Sequence, residues 1–246
     1  MFFILRVFLH TLIFSLFMEA VALRQNIALY LVFFLIIFSV ISAKNLGKKW
    51  IYSIIPPVIS FSSIILLYLI DNQIQRQIFI ILGSTVYYLL LLGIFRLGNY
   101  SRDHTARGMV AAGVTTALFF LYASVYGIYL NFFIPLWVLM LVFLVFTILI
   151  CYGYFGILEV KRKNMPWIYS LLIGMAMAEV SWVMNFWPFG YLTAGVIALI
   201  FYYVLWDLAQ SHFLNLLSKK RVVANMVVLA VLVGIALISS RWLQMV

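Results

Sequence analysis

The chain has 246 residues, of which 67% are hydrophobic and only 9% charged, against roughly 45–50% and about 25% in a soluble domain. So few charges cannot cover the surface of a water-soluble fold of this size, which excludes a cytosolic enzyme, a disordered tail and a disulfide-rich secreted scaffold. The net charge of +10 reads as short basic loops beside a membrane, where they meet anionic headgroups, and no nucleic-acid partner is expected.

A bilayer core of about 30 Å takes about 20 apolar residues per helix, and in lipid the backbone must satisfy its own hydrogen bonds. The sequence therefore predicts an all-α polytopic transmembrane bundle of about nine helices, forming one integral membrane domain over 1–246. The expected spans are 2–23, 27–43, 50–70, 74–95, 109–130, 133–158, 166–186, 191–208 and 222–240. The runs are too long and too continuously apolar for a barrel.

The first span carries Arg6 and His10 one turn apart, then Glu19. Ala20-Val21-Ala22 has the small-residue spacing of a signal-peptidase site, but the apolar stretch is long for a signal peptide. We read it as an uncleaved anchor; cleavage would leave eight helices. In the third span, Pro56-Pro57 predict a kink near its start. The longest polar connection runs from about Arg96 to Gly108. The fifth span brings two pairs of small residues four apart, Gly113 with Ala117 and Ala123 with Gly127, and the eighth brings Gly190 with Ala194. Such pairs suit close helix packing. The sixth contains Cys151, the single cysteine, which permits no intrachain disulfide and no cysteine metal cluster.

The seventh span has two features. Ser170, Gly174, Ala178, Ser181 and Asn185 are spaced to share one face, suited to the same kind of packing. Glu179 falls near mid-membrane, where a carboxylate costs ~2.5–3.5 kcal/mol on insertion scales. We expect it to face the bundle or a wet cavity, either as a protonatable or substrate-contacting site with Ser181 and Asn185, or as a carboxyl hydrogen-bonded to a neighbouring helix. Trp187-Pro188-Phe189-Gly190 then makes a tight turn, and Trp50, Trp137, Trp167 and Trp242 fit an interfacial belt. The eighth span ends in Asp207, Gln210, Ser211 and His212. Asp207 and His212 are about 140° apart around a helix, so they do not face each other for nucleophilic catalysis. Arg6, His10, Asp207, Ser211 and His212 are instead expected to form an intramembrane polar network containing an Arg6–Asp207 pair.

Twelve of the 16 basic residues fall in alternate connections: Lys44, Lys48 and Lys49; Arg96, Arg102 and Arg107; Lys161, Arg162 and Lys163; Lys219, Lys220 and Arg221. Positive-inside patterning then predicts a cytoplasmic N-terminus and an outer C-terminus. The sequence lacks an HExxH metal motif, a phosphate-binding loop and a GxSxG elbow, and all seven lysines stand in loops or at helix ends. We therefore expect no resident metal, no cofactor and no catalytic residues.

Glu179, Trp182, Trp187-Pro188-Phe189-Gly190, Tyr202-Tyr203, His212-Phe213 and Lys219-Lys220-Arg221 together resemble an uncharacterised family of polytopic membrane proteins from candidate-phylum bacteria. The resemblance covers about the last third of the chain and implies no activity. Three readings follow. The first is a non-catalytic component of a bacterial envelope assembly in the cell membrane, with a membrane protein partner. The second is a small transporter or channel using Glu179. The third is a lipid-modifying enzyme at the cytoplasmic rim around Asp207 and His212.

Overall fold

The computed structural model of the chain describes residues 2–24, 28–100, 103–157, 165–213 and 217–239. Among the described residues there are nine α-helices and no strand, and each helical span is long and apolar enough to cross a membrane. They are α1 (Phe2–Leu23), α2 (Ala28–Gly47), α3 (Ile55–Leu69), α4 (Gln73–Asn99), α5 (His104–Asn131), α6 (Leu136–Ile157), α7 (Met165–Met184), α8 (Tyr191–Phe213) and α9 (Lys219–Ser239). Arg102, Lys161, Arg162, Lys163 and Trp242 lie outside the described residues.

Several helices run past the apolar stretches that announce them. α2 continues to Gly47, α4 to Asn99 and α8 to Phe213, while α5 begins at His104, five residues before the expected start. Apolar content marks only the part of a helix that suits hydrocarbon; hydrogen bonding carries the same helix onward into the polar zone. Asp103 supplies the start signal of α5: its carboxylate accepts the amide hydrogen of Ala106 at 3.1 Å, as an N-capping side chain does.

The third span departs from the expected kinked helix. A 3-10 turn, Trp50–Ser53, precedes α3, and Pro56-Pro57 sit in its first turn. Amide hydrogens there have no partner within the helix, and proline's fixed φ suits the position. The prolines therefore begin α3 instead of interrupting a longer helix.

The chain gathers into two compact units, residues 1–124 with 153–161, and residues 125–152 with 162–246. In the first, α3 packs against α1, α2 and α4, and α4 also packs against α1 and α2. α3 is consequently the core element, with Ile55, Ile59, Ile64, Leu66 and Leu67 all nearly inaccessible. α1 contributes Val7, Phe14, Met18 and Val21 to the same core, and Phe14 stacks on Tyr87 of α4 with ring centroids 4.2 Å apart. In the second unit, α8 packs against both α7 and α9. No residue of α9 is buried.

Glycines set the closest helix contacts. A Cβ built at Gly98 of α4 would stand 2.9 Å from the Gly47 carbonyl oxygen of α2 and 3.1 Å from Gly47 Cα. One at Gly113 of α5 would meet Leu90 at 2.8 Å, and one at Gly174 of α7 would meet Ile148 of α6 at 2.5 Å and the Leu144 carbonyl at 3.1 Å. Such spacing lets helices associate through backbone and side-chain packing, where lipid offers no hydrophobic drive. The other small residues singled out on α5 are buried too: Ala117 and Ala123 are fully inaccessible, and Gly127 is buried one turn beyond Ala123. Of these, Gly113, Ala117 and Ala123 belong to the first unit, whereas Gly127 belongs to the second. The pair Ala123 and Gly127 is thus divided between the units and is not one packing motif within either. The pair in α8 separates as well. Ala194 is fully buried, but at Gly190 nothing lies within 4 Å, so Gly190 serves the turn before α8 and not a helix contact.

Candidate functional site

α7 has two opposed faces. Ser170, Gly174, Ala178 and Ser181 are buried. The Ser170 hydroxyl donates to the Pro166 carbonyl at 2.7 Å and the Ser181 hydroxyl to the Ala178 carbonyl at 2.7 Å. Both hydroxyls are thus satisfied within their own helix. Asn185, just beyond α7, accepts a hydrogen bond from the Tyr129 hydroxyl at 2.6 Å. The nearby Tyr126 hydroxyl donates to the Met184 carbonyl at 3.1 Å.

Glu179 is on the other face and is exposed. Of the two surroundings expected for it, the bundle or a wet cavity, it is therefore not buried against the other helices. At about 100° per residue, Glu179 and Ser181 stand nearly opposite each other, so Glu179, Ser181 and Asn185 do not converge on one site. The exposed residues of this face are Ile168, Leu172, Met175, Glu179 and Trp182, continued by Phe186 after the helix. Their steps of four, three, four, three and four residues follow the 3.5-residue period of a helix–helix seam. A single carboxylate interrupts an otherwise apolar stripe at its middle.

The polar end of α8 forms a second arrangement. Asp207 accepts from Arg221 of α9 through both carboxylate oxygens, at 2.7 Å and 3.2 Å, and from Asn225 at 2.7 Å. The partner expected from sequence was Arg6; the guanidinium that meets Asp207 is that of Arg221, one helix later. The Ser211 hydroxyl donates to the Asp207 backbone carbonyl at 2.6 Å. The His212 ring lies beside Tyr169, with centroids 5.9 Å apart. Asp207 is therefore occupied as a clasp between α8 and α9, and Ser211 is bonded to its own helix. Of the five residues expected to form one network, Arg6 and His10 belong to the first unit and Asp207, Ser211 and His212 to the second. On α1 the His10 ring approaches the Arg6 carbonyl at 2.6 Å and stacks on Phe38, centroids 5.6 Å apart.

Sequence reading missed the polar interior of the first unit. The Tyr87 hydroxyl donates to Ser39 at 3.0 Å, Ser39 and Ser60 share a 2.6 Å bond, and Ser60 donates to the Pro56 carbonyl at 3.1 Å. The chain links α4, α2 and α3. Its signal was visible in Ser60, Ser62 and Ser63, a serine cluster inside an apolar run. Glu19 of α1 is also engaged: both its carboxylate oxygens accept from Gln77 of α4, at 3.0 Å and 3.2 Å.

Asp103 joins two helix ends, pairing with Arg96 at 2.7 Å while capping α5. The capping amide of Ala106 and the Arg96 guanidinium hold its carboxyl below the ordinary value of 3.8. A carboxyl with a lowered folded-state value adds stability above its ordinary value, and that stability is lost as pH falls through the folded value. Asp103→Asn should therefore melt below the parent at neutral pH, and the gap should close as the pH falls from 3.8 through the carboxyl's lowered value. A gap unchanged by acid, read from thermal scans of both proteins, would refute the assignment.

Among the described residues no group of three His, Cys, Asp or Glu could hold a metal ion. Cys151 is buried, its thiol 3.6 Å from the Tyr202 hydroxyl. No curated protein and no solved structure matches the chain. A family model does match, over residues 42–239, which reaches far beyond the last third that carried the resemblance. The chain belongs to that family, described as a protein of unknown function, DUF5656.

Proposed function

We propose that this protein is a non-catalytic component of a membrane assembly in the bacterial cell envelope, a single integral membrane domain whose α7 binds one transmembrane helix of a partner protein. The observation that carries the reading is the exposed stripe Ile168, Leu172, Met175, Glu179 and Trp182. Its period suits a facing helix. A carboxylate left against hydrocarbon is costly, whereas a donor on a partner helix satisfies it. A lone polar position in an apolar seam also fixes register. The partner is thus a helix with an apolar seam and a lysine, arginine, asparagine or glutamine opposite Glu179.

A photo-crosslinking residue replacing Met175, which is exposed, should form an adduct with one defined polypeptide in native membranes. The same probe replacing Met177, which is fully buried, should form none to another chain. Adducts to lipid alone at position 175 would overturn the reading.

The orientation belongs to the same proposal: even connections and the N-terminus in the cytoplasm, the C-terminus outside, supported by the alternation of basic residues. Because the chain has one cysteine, Cys151→Ser gives a thiol-free background. Phe133→Cys in the α5–α6 connection should then react with an impermeant maleimide on intact cells, and Ser218→Cys between α8 and α9 should react only after lysis. Labelling of Ser218→Cys from outside would reverse or break the topology.

A further inference from the structure

At one end of the first unit, Arg6, Asn45, Leu46, Lys48, Phe95, Asn99 and Tyr100 line a recess of about 530 Å³. The volume falls within the range of small-molecule sites, about 300–1,000 Å³. Two cations, two carboxamides and a phenol supply its polar wall, Leu46 and Phe95 its apolar one, and among the described residues no acid lines it. Close by in sequence, Lys44 sits over the Trp50 ring at 3.8 Å, and Arg96 pairs with Asp103.

The wall is held in place by close packing. Gly47 and Gly98 bring the ends of α2 and α4 into backbone contact, so Lys48 and Asn99 emerge side by side. The Lys48 ammonium donates to Asn99 Oδ1 at 2.8 Å, which uses one of its three donors and leaves two. Asn99 in turn donates to the Phe95 carbonyl at 3.0 Å. Lys48 also has φ 63°, the one described non-glycine residue in the left-handed region. Glycine adopts that conformation without penalty. A lysine there puts a cation on the wall at a cost in backbone strain, as strained residues at binding sites do.

Depth narrows the ligand. Arg6 lies at the start of the α1 span, Lys48 follows the end of α2, and Asn99 ends α4. These positions are the level of lipid headgroups. A guanidinium and an ammonium lining one recess match a phosphoryl group in charge, and a guanidinium can grip it with two hydrogen bonds. We infer that this recess is a binding site for a phosphoryl anion, with Arg6 and Lys48 as its charge contacts and Asn45, Asn99 and Tyr100 as its hydrogen-bonding wall. The group is carried by an anionic phospholipid or by a small soluble phosphate. The α7 stripe plays no part in this inference.

The test uses the full chain in nanodiscs, comparing phosphatidylglycerol with phosphatidylcholine, and phosphatidylcholine with added inorganic phosphate. The proteins are the parent, Arg6→Gln, Lys48→Gly and, as a charge control at a lysine that does not line the recess, Lys220→Gln. Lys48→Gly relieves the left-handed backbone, so its basal fold is secure. Phosphatidylglycerol should raise the parent's melting temperature by roughly 5 °C. Both recess variants should lose at least half of that rise, and Lys220→Gln should keep it. The same pattern with inorganic phosphate in phosphatidylcholine would support the site and identify its ligand as soluble. A rise of equal size in all four proteins, or no response to either probe, would overturn the proposal.

Discussion

Gly98→Val should lower the melting temperature of the detergent-solubilised protein by roughly 5–8 °C. The cause is the contact between α4 and α2. A Cβ at position 98 meets the Gly47 carbonyl oxygen at 2.9 Å and its Cα at 3.1 Å. Both obstacles are backbone and cannot rotate away. A Cβ on Gly47 would in turn meet Tyr52 at 2.5 Å and Ile94 at 2.8 Å, so neither glycine of the contact has room for a side chain. Forcing extra atoms into such packing costs about 1–3 kcal/mol, and each kcal/mol is worth about 2–4 °C in a chain of this size. The same substitution pushes Asn99 from Lys48 and should weaken any phosphoryl ligand in the recess. Gly83→Ala and Gly234→Ala are the controls. Nothing lies within 4 Å of a Cβ at either position, and alanine in a helix interior gains about 0.5–1 kcal/mol over glycine. Equal melting of all three variants would remove the glycine contact from the account of the fold.

Glu179→Leu should have opposite effects on the isolated chain and on its assembly. It removes a carboxylate from an exposed apolar stripe, which lowers the cost of insertion by ~2.5–3.5 kcal/mol on translocon scales. Expression and solubilised stability should hold or rise. The adduct formed through position 175 should fall at least tenfold, because a partner's donor then faces leucine, and an unsatisfied buried polar group costs about 1–3 kcal/mol. Glu179→Gln keeps a hydrogen-bond acceptor and should retain an intermediate yield. An undiminished adduct in Glu179→Leu would leave the carboxylate without a role in partner binding. Loss of the chain itself would instead mean that Glu179 supports the fold, contrary to its exposed position.

The nine spans were legible because lipid imposes a harsh and simple condition, a long apolar run, which each segment meets. Helix ends were less so. The start of α5 at His104 is written in a cap, Asp103, and not in hydropathy, so an apolar criterion begins the helix late. The prolines were read by their best-known effect within a helix; their position in its first turn reverses that effect. For Glu179, sequence fixes the angle relative to Ser181 but not which side of α7 meets the rest of the protein. The two faces were distinguishable in advance only by the small residues of one and the bulky residues of the other. Small pairs four apart mark close packing without naming the surface they meet, which is why Ala123 and Gly127 read as one motif and serve two units. The Gly47–Gly98 contact joins positions 51 residues apart, and no local pattern pairs them.

The Asp207 clasp bears on how the protein is made. The ribosome makes α8 before α9, and the Asp207 clasp is closed by Arg221 and Asn225, near the leading end of α9. The clasp therefore sits at the turn of the hairpin, and the two helices need meet only at their near ends to make it. An arginine entering the insertion machinery finds its counter-charge already waiting, and the remaining turns of α9, with no buried residue, then partition into lipid without having to find a berth in the bundle.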